Sequence, residues 1–286
     1  MTILEFLNSR AKDKEINIGI GLGDNQEHNN KLLIASEKFL QENKAKIFLF
    51  GNKNLISYLT ENPKYKLLKS NIILIESSKP ETDIIKFLTN GMINAVVRGN
   101  LSSRKFLDSL KKFLNIKDTH RLALLETYKG YQFFFGPVGI DEARDIESKI
   151  LFIEKAIKQF ELMQLKPKVS VLSGGRIDDI GRDTFVDRSM NTAEEIVNYF
   201  KNENPNLEIN HNEILIEDAI RKKSNLIIAP DGISGNLIYR TLVHLGGGKA
   251  YGAIYMGIDH IIIDTSRVGS QYEIYGALIL CLALAP

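Results

Sequence analysis

The chain has 286 residues, 44% of them apolar and 25% charged, with a formal net charge of +2. That length buries a full core in one large domain or two smaller ones. The near-balance of charge argues against a dedicated nucleic-acid surface, on which Lys and Arg would gather along a face or stripe.

Residues 16–23, INIGIGLG, predict a strand ending in glycines, and 29–41 carry the apolar spacing of a helix. AKIFLFG (45–51), NIILIES (71–77) and INAVVRG (93–99) repeat the strand pattern. Helical segments follow them from residue 54, over 81–88 and over 102–113. Uninterrupted apolar strands alternating with amphipathic helices predict a mostly parallel sheet covered on both faces, an α/β fold. RLALLET (121–127) and YQFFFG (131–136) predict a hairpin turning through YKG. A long helix over 142–165 ends before Pro167, and VSVLSGG (169–175) is again a strand. A hydrophilic stretch, 176–191, then precedes a helix over 192–201. Helices at 213–223 and 235–245 flank the strand NLIIAPD (225–231). AYGAIYMG and HIIIDTS lead into a closing helix.

The single cysteine, Cys281, rules out an internal disulfide and lies in the apolar run 277–285, where burial makes a thiol inert. No apolar run reaches the roughly 18 residues of a membrane helix. Residues 1–14 contain no apolar signal core, so a cytoplasmic protein is expected. The five histidines show no metal-ligand spacing, so no metal is expected.

Four polar clusters fall at strand ends or helix starts, where open α/β sheets bind ligands. In RGNLSSR, Arg98, Asn100, Ser102, Ser103 and Arg104 combine cations, hydroxyls and free helix N–H groups suited to an anion. A plain strand–loop–helix cap explains them equally. In SGGRIDDIGRDTFVD (173–187), Arg176 and its neighbours form a phosphate-binding, interface or merely exposed loop. In APDGISGN (229–236), Ser234 or Asn236 is placed to cap the next helix, while Asp231 is placed to hold a neighbouring arginine or accept a hydrogen bond from substrate. In DTSRVGSQYE (264–273), Ser266, Arg267 and Glu273 put a hydroxyl, a guanidinium and a base at one junction, the alternative being a helix cap with Glu273 solvated. None of these is a Walker A or a Rossmann glycine loop.

Taken in order, these clusters resemble the phosphate acetyl/butyryl transferase family. LIIAPDGISGNLIYR is similar to the family segment IxPDLxxGNIxYK, GGGKAYGAIYMG to AxGPIxxG, and IDTSRVGSQYE to NDLSRGxSxxD. Over nearly its full length the chain resembles still more closely the methanogenesis marker protein 4 group, the methyltransferase-subunit (MtxX) branch. No separate S-adenosylmethionine or corrinoid motif accompanies that label.

The acyltransferase resemblance implies two α/β domains of the isocitrate/isopropylmalate dehydrogenase-like fold, with the first domain discontinuous. It corresponds here to 1–138 with 253–286, and the second, dimerising domain to 139–252. It further implies transfer of an acyl group between coenzyme A and phosphate, with those two as substrates and no tightly bound cofactor. Ser266 matches the active-site serine, Arg267 the substrate-binding arginine, and Glu273 stands where the family has its catalytic aspartate. Val268 replaces a family glycine, and residues 100–104 replace a threonine-rich segment. The MtxX resemblance implies instead a methyltransferase subunit with a methyltransferase or corrinoid protein as partner.

Overall fold

A computed structural model describes residues 1–286. The chain divides into two compact units, Met1–Asp118 with Ala250–Pro286, and Thr119–Lys249.

The first unit opens with helix α1 (Ile3–Arg10), closed by a Thr2/Glu5 capping box. It then alternates β1 (Glu15–Gly21), α2 (Gln26–Glu42), β2 (Lys44–Gly51), α3 (Lys53–Glu61), α4 (Pro63–Leu68), β3 (Ile72–Glu76), α5 (Pro80–Thr89), β4 (Ala95–Val97) and α6 (Ser103–Leu114). The second unit carries β5 (Arg121–Glu126), β6 (Gln132–Gly136), α7 (Ile146–Leu162), β7 (Lys168–Val171), α8 (Thr184–Glu203), β8 (Glu208–His211), α9 (Ile216–Arg221), β9 (Leu226–Ile228) and α10 (Gly232–His244). The chain returns to the first unit through β10 (Lys249–Tyr255), β11 (Ile261–Asp264) and α11 (Gln271–Leu284).

In the first unit the strands run in the order β3-β2-β1-β4-β11-β10. All neighbours are parallel except β10, which runs antiparallel to β11. Ile18, Ile20, Ile47, Leu49, Val96, Val97 and Ile262 are completely buried, as expected for parallel strands covered on both faces. The apolar helix α11 buries Ile274 and residues 276–282, Cys281 among them, and burial pushes that thiol's pKa up. In the second unit the order is β5-β6-β9-β7-β8, with β5 and β6 the antiparallel hairpin and the other pairs parallel.

Some boundaries depart from the sequence expectation. The hairpin β5–β6, placed there in the first domain, lies in the second unit, because β6 pairs with β9. The division therefore falls after Asp118 and after Lys249, where 138/139 and 252/253 were expected. Helix α8 begins at Thr184, within the supposed hydrophilic stretch, because Asp183 caps it by accepting from the Phe185 and Val186 N–H groups at 2.8 and 3.2 Å. Strand β8, of sequence EINH, buries only Ile209 and offered no apolar pattern to detect.

Candidate anion-binding site

In the first unit, β2 and β3 lie to one side of β1, while β4 and β11 lie to the other. The connections diverge at β1 and β4, and ligands of open α/β sheets sit outside the strand ends at such a switch point. A cavity of about 600 Å³ opens there. Its walls are the turn after β1 (residues 22–25), Asn52 and Leu55 after β2, Ser78, Pro80 and Glu81 after β3, Asn100, Leu101, Ser102 and Lys105 after β4, and Arg267 and Val268 after β11.

The turn after β4 fits because Gly99 takes a positive φ of 61° and lies against the Gly21 carbonyl, with which a Cβ would collide. The Asn100 N–H then donates to Gly21 O at 3.0 Å, which continues the β1–β4 ladder into the loop. Arg98 is 5% exposed. It pairs with Asp264 and donates to the carbonyls of Leu101 (2.8 Å) and Thr265. Burial works against its charge, but Asp264 outweighs burial and the pKa is raised. Arg98 thus ties the loop after β4 to the loop after β11.

Glu273 braces the second of these loops. It is 3% exposed, and its Oε1 accepts the Ser266 N–H at 2.7 Å. Its other oxygen lies against Gly269, which has no room for a Cβ. Ser266 Oγ accepts the Val268 N–H at 3.3 Å, and Ser270 caps α11. The loop therefore turns Arg267 and Val268 outward to the cavity while Glu273 lies beneath. At α6, Ser102 occupies the cap position but makes no side-chain cap bond, so the first-turn N–H groups lack that acceptor. Asn100 is 8% exposed and its Nδ2 has no partner.

Of the expected site residues, Asn100, Ser102 and Arg267 line this cavity. Ser103 is the first residue of α6, and Arg104 beside it is exposed. Arg98, Ser266 and Glu273 belong to the same unit but lie behind the cavity wall, whereas Arg176, Asp231 and Asn236 lie in the second unit. Arg176 is exposed there, its N–H donating to Asp179 Oδ2 at 3.0 Å. Asp231 caps α10, its Oδ1 accepting the Ser234 N–H at 2.8 Å. Asn236 Nδ2 donates to Val138 O at 2.9 Å, and Gly232 and Gly235 press against the carbonyls of Gly139 and Pro137. Glu142 completes this packing by accepting from Arg121 Nε (2.7 Å) and the Gly139 N–H (3.1 Å). Burial raises its pKa against the opposing pull of Arg121.

The second unit also holds a hydroxyl–imidazole–carboxylate series. His211 Nε2 lies 2.9 Å from Ser173 Oγ, and its Nδ1 lies 3.3 Å from Glu194. Ser173 is only 1% exposed and its hydroxyl also meets Met190 Sδ. The arrangement is that of a packed polar network, with no open face at the hydroxyl.

Sequence reasoning missed the far wall of the cavity, Gly23–Asn25, Asn52, Ser78 and Glu81, and missed Lys105. The signal was present: Asn52 directly follows β2, Asn25 follows β1 after three residues, and each caps the next helix through Oδ1. No group of three or more His, Cys, Asp or Glu side chains is placed to hold a metal. No helix is long and apolar enough to cross a membrane.

No family model matches the chain. It is 38% identical over 99% of its length to the protein named "Putative methyltransferase mtx subunit X" from Methanosarcina mazei, covering 95% of that protein. The Methanosarcina barkeri protein of the same name is 36% identical, with 96% of each chain covered. Among solved structures, a branched-chain phosphotransacylase from Enterococcus faecalis V583 superposes with a TM-score of 0.70 at 17% identity, covering 94% of this chain and 99% of that one. EutD phosphotransacetylase from Staphylococcus aureus gives 0.66 at 18% identity, covering 99% and 98%. 4-Hydroxythreonine-4-phosphate dehydrogenase from Klebsiella pneumoniae gives 0.59 at 11% identity, covering 94% and 98%. The fold is thus the two-unit α/β architecture of the phosphotransacylases, and by sequence the chain belongs to the methyltransferase mtx subunit X family.

Proposed function

We propose that this chain is a transferase component, a methyltransferase subunit linked to methanogenesis, that holds an anionic phosphorylated ligand in the cavity of its first unit. The observation that carries the subunit reading is the 38% identity over 99% of the chain to a protein bearing that name. The anion reading draws on Lys105 and Arg267, which line the cavity and pair with no protein carboxylate. It draws also on Ser102, Ser103 and the open first turn of α6, since cations and free helix N–H groups together make an anion receptor. Arg98 and Glu273 act as positioning residues that hold the two loops in register. Arg104, exposed at the same helix start, adds positive field. Arg176, Asp231 and Asn236 serve the second unit, which we assign to homodimerisation. A methyltransferase or corrinoid protein is the expected partner.

A second reading is transfer of an acyl group between coenzyme A and phosphate, favoured by the phosphotransacylase fold and by the Ser266–Arg267–Glu273 spacing. Ser266 would then orient the transferring group and Arg267 would bind phosphate, while Glu273, the residue at the base position of that spacing, would need the loop 266–269 to move before it could take the thiol proton. The likeness to a 4-hydroxythreonine-4-phosphate dehydrogenase supports assigning the fold more narrowly to the isocitrate/isopropylmalate dehydrogenase type. Purification of the tagged chain from its source cells tests the main reading, with co-purification of a protein active in methyl transfer as the expected result. A homodimer that carries no such partner, and that releases coenzyme A from acyl donors only with phosphate present, would overturn it. Loss of that release in a Glu273→Gln variant that still folds and still binds coenzyme A as wild type does would support the second reading.

A further inference from the structure

In the second unit, the segment between β7 and α8 turns apolar side chains to solvent. Ile177, Ile180, Phe185 and Ile214 are each half or more exposed, Phe185 at 76%. They leave neighbouring backbone. The Ile177 N–H donates to Glu213 Oε2 at 3.1 Å, and the Ile214 N–H donates to Gly175 O at 3.0 Å. Ile180 closes the single 3₁₀ turn begun at Ile177, donating its N–H to Ile177 O at 3.3 Å. Phe185 stands in the first turn of α8 beside Val186, whose Cγ1 would lie 2.5 Å from a Cβ on Gly175. Apolar residues exposed singly are ordinary, but four large ones on one short stretch mark a surface that another molecule covers.

This stretch is braced. Asp179 Oδ2 accepts the Arg176 N–H at 3.0 Å, and its Oδ1 pairs with Arg182 at 3.1 Å. Asp187 Oδ1 accepts the Gly181 N–H at 2.8 Å, and Asp183 caps α8 through two N–H groups. The apolar side chains are thus held outward before anything docks, which lowers the ordering entropy that docking must overcome. Charge decides the kind of partner. Residues 176–188 and 213–217 hold six carboxylates against three arginines, in a chain whose formal charge is +2. A second copy brought to the same patch by a two-fold axis would set this acidic surface against itself. Nucleic-acid phosphates and anionic lipid headgroups are repelled for the same reason. A protein surface with apolar side chains ringed by Lys and Arg matches both features of the patch.

We propose that this patch docks a different protein, through a basic segment with an apolar centre. Phe185 and Ile177 anchor the contact, since apolar and aromatic side chains at the middle of an interface carry most of its energy. The surrounding carboxylates steer the basic rim of the partner and disfavour acidic competitors. The inference deepens the subunit reading, on which it rests, by naming the surface that receives the partner. Homodimerisation is left to other faces of the second unit.

The test purifies the tagged full chain from its source cells, identifies the protein active in methyl transfer that accompanies it, and titrates that protein, purified, into wild type and variants. Phe185→Ser and Ile177→Ser are each expected to weaken binding about tenfold or more. Asp178→Lys/Glu217→Lys should weaken it too, and wild-type binding should weaken as salt rises. Circular dichroism confirms that each variant is folded, as the exposure of all four positions leads one to expect. Unchanged affinity in both apolar variants would overturn the patch and leave the subunit reading standing. Tighter binding after the charge reversal would overturn the basic partner. Wild type that brings down no such protein would overturn both readings. A wild-type homodimer that Phe185→Ser splits into monomers would overturn the proposal in favour of a second copy.

Discussion

Replacing Asp264 by Asn tests whether the Arg98 pair is the clasp between the two cavity loops. The substitution keeps the shape but removes the anion facing a guanidinium whose side chain is 6% exposed. Breaking a buried pair by removing one partner destabilises by about 3–5 kcal/mol, because the remaining charge is left uncompensated. The amide oxygen still accepts a hydrogen bond, so the low end, about 3 kcal/mol, is expected. With a urea slope of about 2 kcal/mol/M, the midpoint for the first unit should fall by roughly 1.5 M. The chain has no tryptophan, so circular dichroism is the natural readout. The double variant Arg98→Met/Asp264→Leu should lose less than the sum of the two single changes, since it strands no charge. A loss below about 1 kcal/mol in Asp264→Asn, or strict additivity in the cycle, would refute the clasp.

His28 is 2% exposed with neither ring nitrogen partnered, and burial, then Lys31 and Arg98, lower its pKa. The unfolded chain takes up a proton near pH ~6.5 that the folded chain resists. The stability associated with neutral His28 is therefore full above that pH and is lost as pH falls toward the lowered folded value. His28→Leu should raise stability by about 1–2 kcal/mol at pH 7 and by more at pH 5, and a less stable variant at both pH values would contradict this. In the second unit, Gly232→Ala should destabilise by about 2–3 kcal/mol in a thermal or urea melt. Its Cβ would run into the Gly139 carbonyl and come within 3.0 Å of the Glu142 carbonyl. An unchanged transition would show that the 137–142 segment yields freely.

The sequence alone determined what depends on neighbours along the chain. Apolar runs such as AKIFLFG announce buried strands because a strand covered on both faces needs apolar residues at every position. The hairpin at 121–136 and the packed fate of Cys281 were legible for similarly local reasons, whereas the cap of α10, expected at Ser234 or Asn236, falls to Asp231. The wall residues Asn25 and Asn52 carried a local capping signal as well, yet nothing local shows that their loops share one cavity. That depends on the strand order, which sets β1 between β2 and β4 and brings β11 beside β4 from the far end of the chain. Arg98 illustrates the limit, for its partner Asp264 is 166 residues away. The spacing of Ser266 and Glu273 was visible, but the direction of the carboxylate was not. Only tertiary structure decided that Arg98 and Glu273 turn inward to brace the loops while Lys105 and Arg267 face the cavity, because burial and the partner across the sheet set a side chain's role, and neither is written in its neighbours.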